Sequence, residues 1–338
     1  MQSLKNLLNT SFLQDPSALR LAAFIGVLGV MFGAHAFAQD ASQSGVEKRE
    51  FELTYQGEIQ NPVDAKATEV WIPLAGSREG QQILERKIDL PVEYQIFREP
   101  VYGNEMIYFK PRKGDPPLHF SVRYHVVVDR NYFEKAAFPR ETALTLKPSR
   151  LMLVNDRVKD IARSVVPQKA SFLDKARAIY DYVISHMQYD KTIPGWGRGD
   201  TQRACIVGKG NCTDFHSLFI SVAHAEEIPA RFKIGFQVPL EPAQGPLAGY
   251  HCWAEFLDEK EVWKPVDASE AWKHPEKRDD YFAHFDPNKF LISIGRDIEL
   301  VPRQKGEPVN IFFYPTVEAD GKLIENAAKM EFSYKNLK

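Results

Sequence analysis

The chain has 338 residues, 44% of them hydrophobic and 26% charged, the composition of a globular protein of about two domains rather than of a disordered chain. Its 43 Lys and Arg stand against 45 Asp and Glu, a formal net charge of −2, which excludes a broad polyanion-binding field and with it a nucleic-acid partner. Three Cys are too few to staple a fold, and the 22 Pro and 20 Gly are scattered without a repeat.

The first feature in chain order is the uncharged apolar run from Leu21 to Ala34, preceded by Arg20 and followed by Ala36-Phe37-Ala38. A positive flank, an apolar core and a small-residue site make residues 1–38 a secretory signal peptide, cleaved after Ala38. An uncleaved anchor is the competing reading, because Leu21 to Ala38 is borderline for a span of about 20 residues. Both readings export the rest, to the periplasm or beyond. Membrane contact is expected only through an uncleaved leader. Removing Lys5, Arg20 and Asp15 with the leader leaves 41 basic and 44 acidic side chains. Residues 39–46 (QDASQSGV) are small and polar, a flexible linker.

Residues 47–147 read as strands. Phe51, Leu53 and Tyr55 alternate, and Val70-Trp71-Ile72 and Ile107-Tyr108-Phe109 are short β-type runs. Leu118, Phe120, Val122, Tyr124, Val126 and Val128 alternate with polar neighbours in a strict period of two. Gly103-Asn104 and Gly114-Asp115-Pro116 mark turns. The expected fold class is α+β: a β-sandwich-like domain first, then a core of helices and strands.

The period changes after Pro148, and residues 148–287 are assigned to that core. Phe172, Ala176, Ile179, Tyr180, Val183, Ile184 and Met187 share one helical face, with Ser171 as N-cap. Residues 190–211, rich in Gly, read as one long loop, a length usually tied to function. A second helix is expected from Cys212, with Phe215, Leu218, Phe219 and Val222 lining one side. Strands are expected at about 231–238, 250–257 and 261–267. Residues 288–338 read as further strands, including Ile292-Ser293-Ile294 and Ile311-Phe312-Phe313-Tyr314, packed on the core or on the N-terminal domain.

The chemistry gathers at three places. Gly210-Asn211-Cys212-Thr213-Asp214 delivers a Cys to the first turn of a helix. The unpaired N–H groups there favour the thiolate, the nucleophilic form. Position alone also fits a small buried core residue. Tyr250-His251-Cys252-Trp253 and Pro265-Val266-Asp267 flank the polar triplet Asp258-Glu259-Lys260. A hairpin centred on Glu259 sets His251 directly opposite Asp267, with Cβ atoms about 5 Å apart. A carboxylate there holds the imidazole in one tautomer and stabilises its cation. Cys212, His251 and Asp267 then make a nucleophile, a base and its orienter.

These residues resemble the transglutaminase-like superfamily of papain-related thiol enzymes, of the exported bacterial type. The resemblance covers residues 171 to about 273. It rests on Gly210-Asn211-Cys212, His251-Cys252-Trp253-Ala254-Glu255 and Pro265-Val266-Asp267-Ala268-Ser269, with spacings of 39 and then 16. It implies a papain/transglutaminase-like core, in which the helix carrying the Cys packs on an antiparallel sheet, with Cys212 as nucleophile, His251 as base and Asp267 as orienter. It implies acyl transfer or hydrolysis at peptide or isopeptide amides through a Cys thioester, on a peptide or protein substrate, cell-wall peptide included. No metal or organic cofactor is needed. The alternative is a non-catalytic envelope binding module on the same scaffold.

Several neighbours stay open. The backbone N–H of Cys212 is the expected first oxyanion donor. Tyr189 is either a second donor or a core tyrosine. Trp253 walls the substrate site or packs in the core, and Trp196 contacts substrate or anchors its loop. His216 and Asp214 tune the thiol or lie on an ordinary hydrogen-bonded or solvated helix face. A zinc set of Cys205, Cys212, His251 and Cys252 has an unusual spacing, and adjacent strand residues point to opposite faces. A Cys205–Cys252 disulfide is the other arrangement left open.

Overall fold

The alternation from Leu118 to Val128 becomes a strand of twelve residues whose alternate apolar side chains are all buried. The computed structural model describes residues 48–61, 65–132 and 148–337. The leader and linker expectations, at residues 1–46, lie outside them. Strands β1 (Lys48–Ile59), β2 (Thr68–Leu74), β3 (Gln81–Asp89), β4 (Gln95–Arg98), β5 (Glu105–Phe109) and β6 (Leu118–Asp129) come first. Then follow α1 (Asp156–Val165), α2 (Phe172–His186), β7 (Gln188–Tyr189), α3 (Thr201–Val207), β8 (Lys209–Gly210) and α4 (Cys212–Ala225). Next are β9 (Ala230–Gln237), β10 (Gln244–Pro246), β11 (His251–Leu257), β12 (Trp263–Val266) and α5 (Ala268–Lys273). The described chain closes with β13 (Lys289–Ile294), β14 (Thr316–Ala319), β15 (Lys322–Leu323) and β16 (Ala328–Asn336).

Two five-stranded antiparallel sheets, β10-β16-β1-β6-β3 and β15-β14-β2-β5-β4, form the β-sandwich-like part. Phe51, Leu53 and Tyr55 of one sheet and Val70, Ile72 and Ile107 of the other share a single apolar cluster. The core is the antiparallel sheet β12-β11-β9-β13 with α4 packed against β11 and β9. The α+β expectation matches this architecture. Strands beyond residue 288 join each of these larger sheets: β13 the core sheet, β14 and β15 one sandwich sheet, β16 the other.

Every residue of β13, and every residue of β11 but the last, is buried, as strands covered on both faces must be. The free edge of β13 is closed by two side-chain amides from the sandwich. Gln81 donates to the Leu291 carbonyl (3.0 Å) and accepts from the Leu291 N–H (2.7 Å). Asn104 does the same for Ile294, at 2.8 Å both ways. Each amide copies the donor–acceptor pair of a neighbouring strand. Among the described residues no helix is long and apolar enough to cross a membrane.

Four expectations are corrected. Residues 190–211 are not one loop. They contain α3, whose N-cap Asp200 accepts from the Arg203 N–H and whose C-cap Gly208 takes the left-handed conformation at φ 62°. That helix leaves Ile206 and Val207 exposed, so it carries no clean apolar period. Helix α1, capped by Asn155, lies ahead of the first helix read from the sequence. Helix α4 is buried all round, Ala225 excepted, because α1, α2, α3 and the core sheet enclose it. Finally, Ile311 to Tyr314 form no strand. Phe312 and Phe313 are buried without ladder bonds, Phe312 in an apolar cluster with Met106 and Leu300 and Phe313 by ring packing against Phe236, Tyr250 and Phe332.

Candidate active site

The nucleophile's position is built by its helix cap. Asn211 accepts from the Thr213 N–H (3.0 Å), and Asp214 accepts from the Asn211 N–H (3.0 Å), a reciprocal capping box. The buried Asp214 carboxylate also accepts from the N–H groups of Gly197 (2.7 Å) and Gly199 (3.0 Å). The Gly-rich loop therefore hangs from the first turn of α4. Burial pushes the Asp214 carboxyl up, against the three N–H bonds that pull it down. At Gly210 only glycine fits, since a Cβ would lie 2.1 Å from the Asp214 Oδ2.

A buried Arg296 clamps the same loop. Its Nη1 donates to Ser217 Oγ (2.7 Å), its Nη2 to the Arg198 carbonyl (2.8 Å) and its Nε to the Asn310 carbonyl (3.0 Å). Gly199 lies in this clamp at φ +64°, where a Cβ would come within 2.4 Å of Ser217 Oγ and 2.5 Å of Arg296 Nη1. Gly199→Ala is therefore expected to lower stability by about 2 kcal/mol or more. A urea midpoint unchanged from the parent would show that the clamp yields freely.

Cys212 is only 2% exposed. The side chains of His251 and Cys252 neighbour its thiol and favour the thiolate. His251 donates from Nε2 to Asp267 Oδ2 at 2.6 Å. That leaves Nδ1 to serve the thiol, with Glu270 Oε1 3.8 Å from it. The structure thus brings Cys212, His251 and Asp267 together, though not by the expected register. Strand β11 pairs with β12 as Ala254↔Val266 and Glu255↔Pro265, so the turn centres on Lys260, not Glu259. Glu261 takes the left-handed conformation in that turn (φ 58°). In this register His251 has no partner directly across on β12. Asp267 reaches it because the chain leaves the ladder there, and Asp267 becomes the N-cap of α5, accepting from the Glu270 N–H at 3.1 Å.

Asp267 is saturated. Oδ1 accepts from Ser269 Oγ (3.1 Å) as well as the Glu270 N–H, and Oδ2 accepts from Lys289 Nζ (2.7 Å) as well as His251. His216 is fully buried. Its Nε2 accepts from the Ala268 N–H (3.0 Å), so Nδ1 carries the proton and donates to the Cys212 carbonyl (2.7 Å). It ties the nucleophile's helix to the carboxylate's helix as a neutral ring, with burial pulling its pKa down to about 4. The solvated-face reading of His216 and Asp214 is corrected: both are buried and hydrogen-bonded.

Electrostatics follow from these contacts. Burial alone would raise the Cys212 pKa. The hydrogen bonds from Cys252 and His251 and the His251 charge outweigh it and hold the thiol well below its ordinary value. Burial alone would lower His251; the Asp267 charge and hydrogen bond outweigh it and raise the imidazole to about 10. Burial pushes Cys205 up to about 11 and Cys252 well above the usual thiol value. All three Cys are free thiols, so the Cys205–Cys252 disulfide is not formed. Among the described residues no group of three or more His, Cys, Asp or Glu is gathered to hold a metal ion.

Trp253 is 4% exposed and stacks on the His251 ring at 6.2 Å and 15°, alongside Leu291 and Ile294. It backs the imidazole from the buried side. Trp196 is 39% exposed on the Gly-rich loop, with Lys191 Nζ 5.7 Å from its ring. Tyr189 packs on Phe215 and Trp272. Sequence reasoning missed Lys289, Arg296, Glu270 and Tyr250, whose hydroxyl accepts from Asn211 Nδ2 at 2.9 Å. Tyr250 belongs to the His251 motif and Arg296 to the Gly295-Arg296-Asp297 run after the core, and Lys289 stands as a lone cation opening an apolar strand.

Residues 159–268 match the family model described as the transglutaminase-like superfamily. A protein of Haemophilus influenzae described as uncharacterized is 24% identical, over 84% of this chain and 89% of its own. Among solved structures, a candidate cysteine protease from Cytophaga hutchinsonii superimposes with a TM-score of 0.59 at 17% identity, covering 87% of this chain and 92% of its own. The periplasmic domain of TgpA from Pseudomonas aeruginosa overlaps more loosely, with a TM-score of 0.39 at 16% identity over 70% of this chain and 97% of its own. The core of this chain is transglutaminase-like in sequence and in fold.

Proposed function

We propose that this chain, on its transglutaminase-like core, is an exported cysteine enzyme that performs acyl transfer or hydrolysis at peptide or isopeptide amides. The observation that carries the reading is the buried Cys212 thiol, favoured as thiolate by a neighbouring His251 that Asp267 holds through Nε2. The Cys212 thiolate attacks the amide carbon. His251 then gives the Nδ1 proton to the leaving amine as the C–N bond breaks, and a thioester remains. Water or a second amine attacks the thioester, His251 takes a proton from it, and the thiolate departs. Asp267 keeps the imidazolium oriented through both steps.

The N–H of Cys212, at the first position of α4, has no hydrogen-bond partner among the described residues. It is the natural first donor to the oxyanion. Tyr189 stands near enough to feel the Cys212 charge, which supports its hydroxyl as the second. The leader pattern at Leu21 to Ala38 supports export, and an exported setting supports peptide or protein substrates, cell-wall peptide among them. The exposure of Trp196 on the Gly-rich loop supports a contact with substrate there.

The test is the rate of iodoacetamide alkylation at each Cys against pH, read by mass spectrometry. Cys212 should react near pH 6, where Cys205 and Cys252 stay silent. His251→Ala should move the Cys212 midpoint up towards about 8.5. A Cys212 that titrates like a free thiol would leave the binding-module alternative standing instead.

A further inference from the structure

A single orienting carboxylate is expected to serve one cation; Asp267 serves two. His251 Nε2 and Lys289 Nζ lie 2.6 and 2.7 Å from the same oxygen, Oδ2. Lys289 is 8% exposed, at the head of a strand buried throughout. Its ammonium also sits 5.4 Å from the centre of the Trp253 ring, the ring that stacks on His251. A buried ammonium costs several kcal/mol unless it is paired, so Lys289 and Asp267 hold each other in place. Because Oδ1 is taken by Ser269 and the Glu270 N–H, the carboxylate cannot rotate without losing a bond.

We infer that Lys289 is a positioning residue of this site: by sharing Asp267 Oδ2 with His251 it fixes the carboxylate and divides its charge, so the imidazolium gives up its proton to the leaving amine more readily. The inference rests on the acyl-transfer reading above. With Asp267 alone the whole carboxylate charge would act on the imidazolium. A second cation on the same oxygen offsets part of that pull without moving the ring. The charged and titratable groups facing His251 are Asp267 and Glu270 from α5, Cys212 and His216 from α4, and Lys289 from β13. Those facing Lys289 are Asp267, Glu270 and Asp286, and Tyr180 of α2 feels the Asp267 charge.

The experiment is an NMR titration of the His251 ring in the mature protein carrying Cys212→Ser, which removes the thiolate and isolates the imidazole. Adding Lys289→Met should raise the His251 titration by about one pH unit, since one of two cations on the carboxylate is gone. Adding Lys289→Arg instead should restore it, because the adjoining cavity of about 310 Å³, lined by Trp253, Glu255 and Asp286, has room for the larger head group. A folded Lys289→Met variant whose His251 titrates as before overturns the inference. If Met does not fold, Lys289→Gln keeps a donor to Oδ2 without the charge, and an unshifted titration there overturns it equally. The readout needs no turnover. Failure of Cys212 labelling in the parent would sink the acyl-transfer reading, whereas an unshifted His251 would sink only the role of Lys289.

Discussion

Cys212→Ala is expected to abolish formation of an acyl-enzyme with an activated acyl probe, a loss of at least about 10⁴-fold. No other group can take over. Cys252 is fully buried and its thiol is held up by burial and by the neighbouring Cys212; Cys205 sits on α3 with its pKa pushed to about 11. The change is also clean. Asn211 still caps α4, Asp214 still holds the Gly-rich loop, and His216 still binds a backbone carbonyl that Ala retains. Removing one sulfur atom from a buried site should cost about 1 kcal/mol. A variant that melts near the parent yet gives no thioester adduct by mass spectrometry would place the nucleophile at Cys212. Retained labelling at any other residue would refute that assignment.

What was legible in the sequence was local. Gly210-Asn211-Cys212-Thr213-Asp214 announces a capped helix start because cap, glycine and N3 carboxylate act within five residues. The period-two run of β6 and the apolar face of α2 are equally local. The His251–Asp267 contact was anticipated for a partly wrong reason. The hairpin turn is one residue later than its polar centre suggested, and the contact survives because Asp267 leaves the strand to cap α5. What was not legible comes from distant strands and loops. Lys289 and Arg296 reach the site from β13 and the segment after it, and the amides of Gln81 and Asn104 hold β13 from the sandwich side. No spacing rule links residues that far apart. The aromatic run Ile311 to Tyr314 looked like a strand because burial and β-propensity share the same residue types.

Asp267→Ala is expected to be the most destabilising single change at the site. It strands the buried Lys289 ammonium, which alone costs about 3–5 kcal/mol, and it removes the cap of α5, worth about 1 kcal/mol more. It also frees His251, so the thiolate loses its oriented acid. Lys289→Met added to Asp267→Ala should recover part of the loss, so that the double variant outlasts Asp267→Ala in urea although it lacks both partners. A double variant no more stable than Asp267→Ala would mean that the lysine is solvated after all.

The same logic fixes the pH dependence. Asp267 is held below its unfolded value, so its contribution is present at neutral pH and fades as pH falls below about 3.8. His251 is raised from 6.5 to about 10, so its contribution is complete below about 6.5 and is lost as pH climbs towards and through 10. Without Asp267 the imidazole loses the partner that raises it. Cys212, held well below 9.0, opposes this slope up to about pH 9, so the comparison is made on Cys212→Ser, where the fall in stability between about pH 6.5 and 10 should flatten on adding Asp267→Ala and persist on adding Cys205→Ser, which leaves the pair untouched.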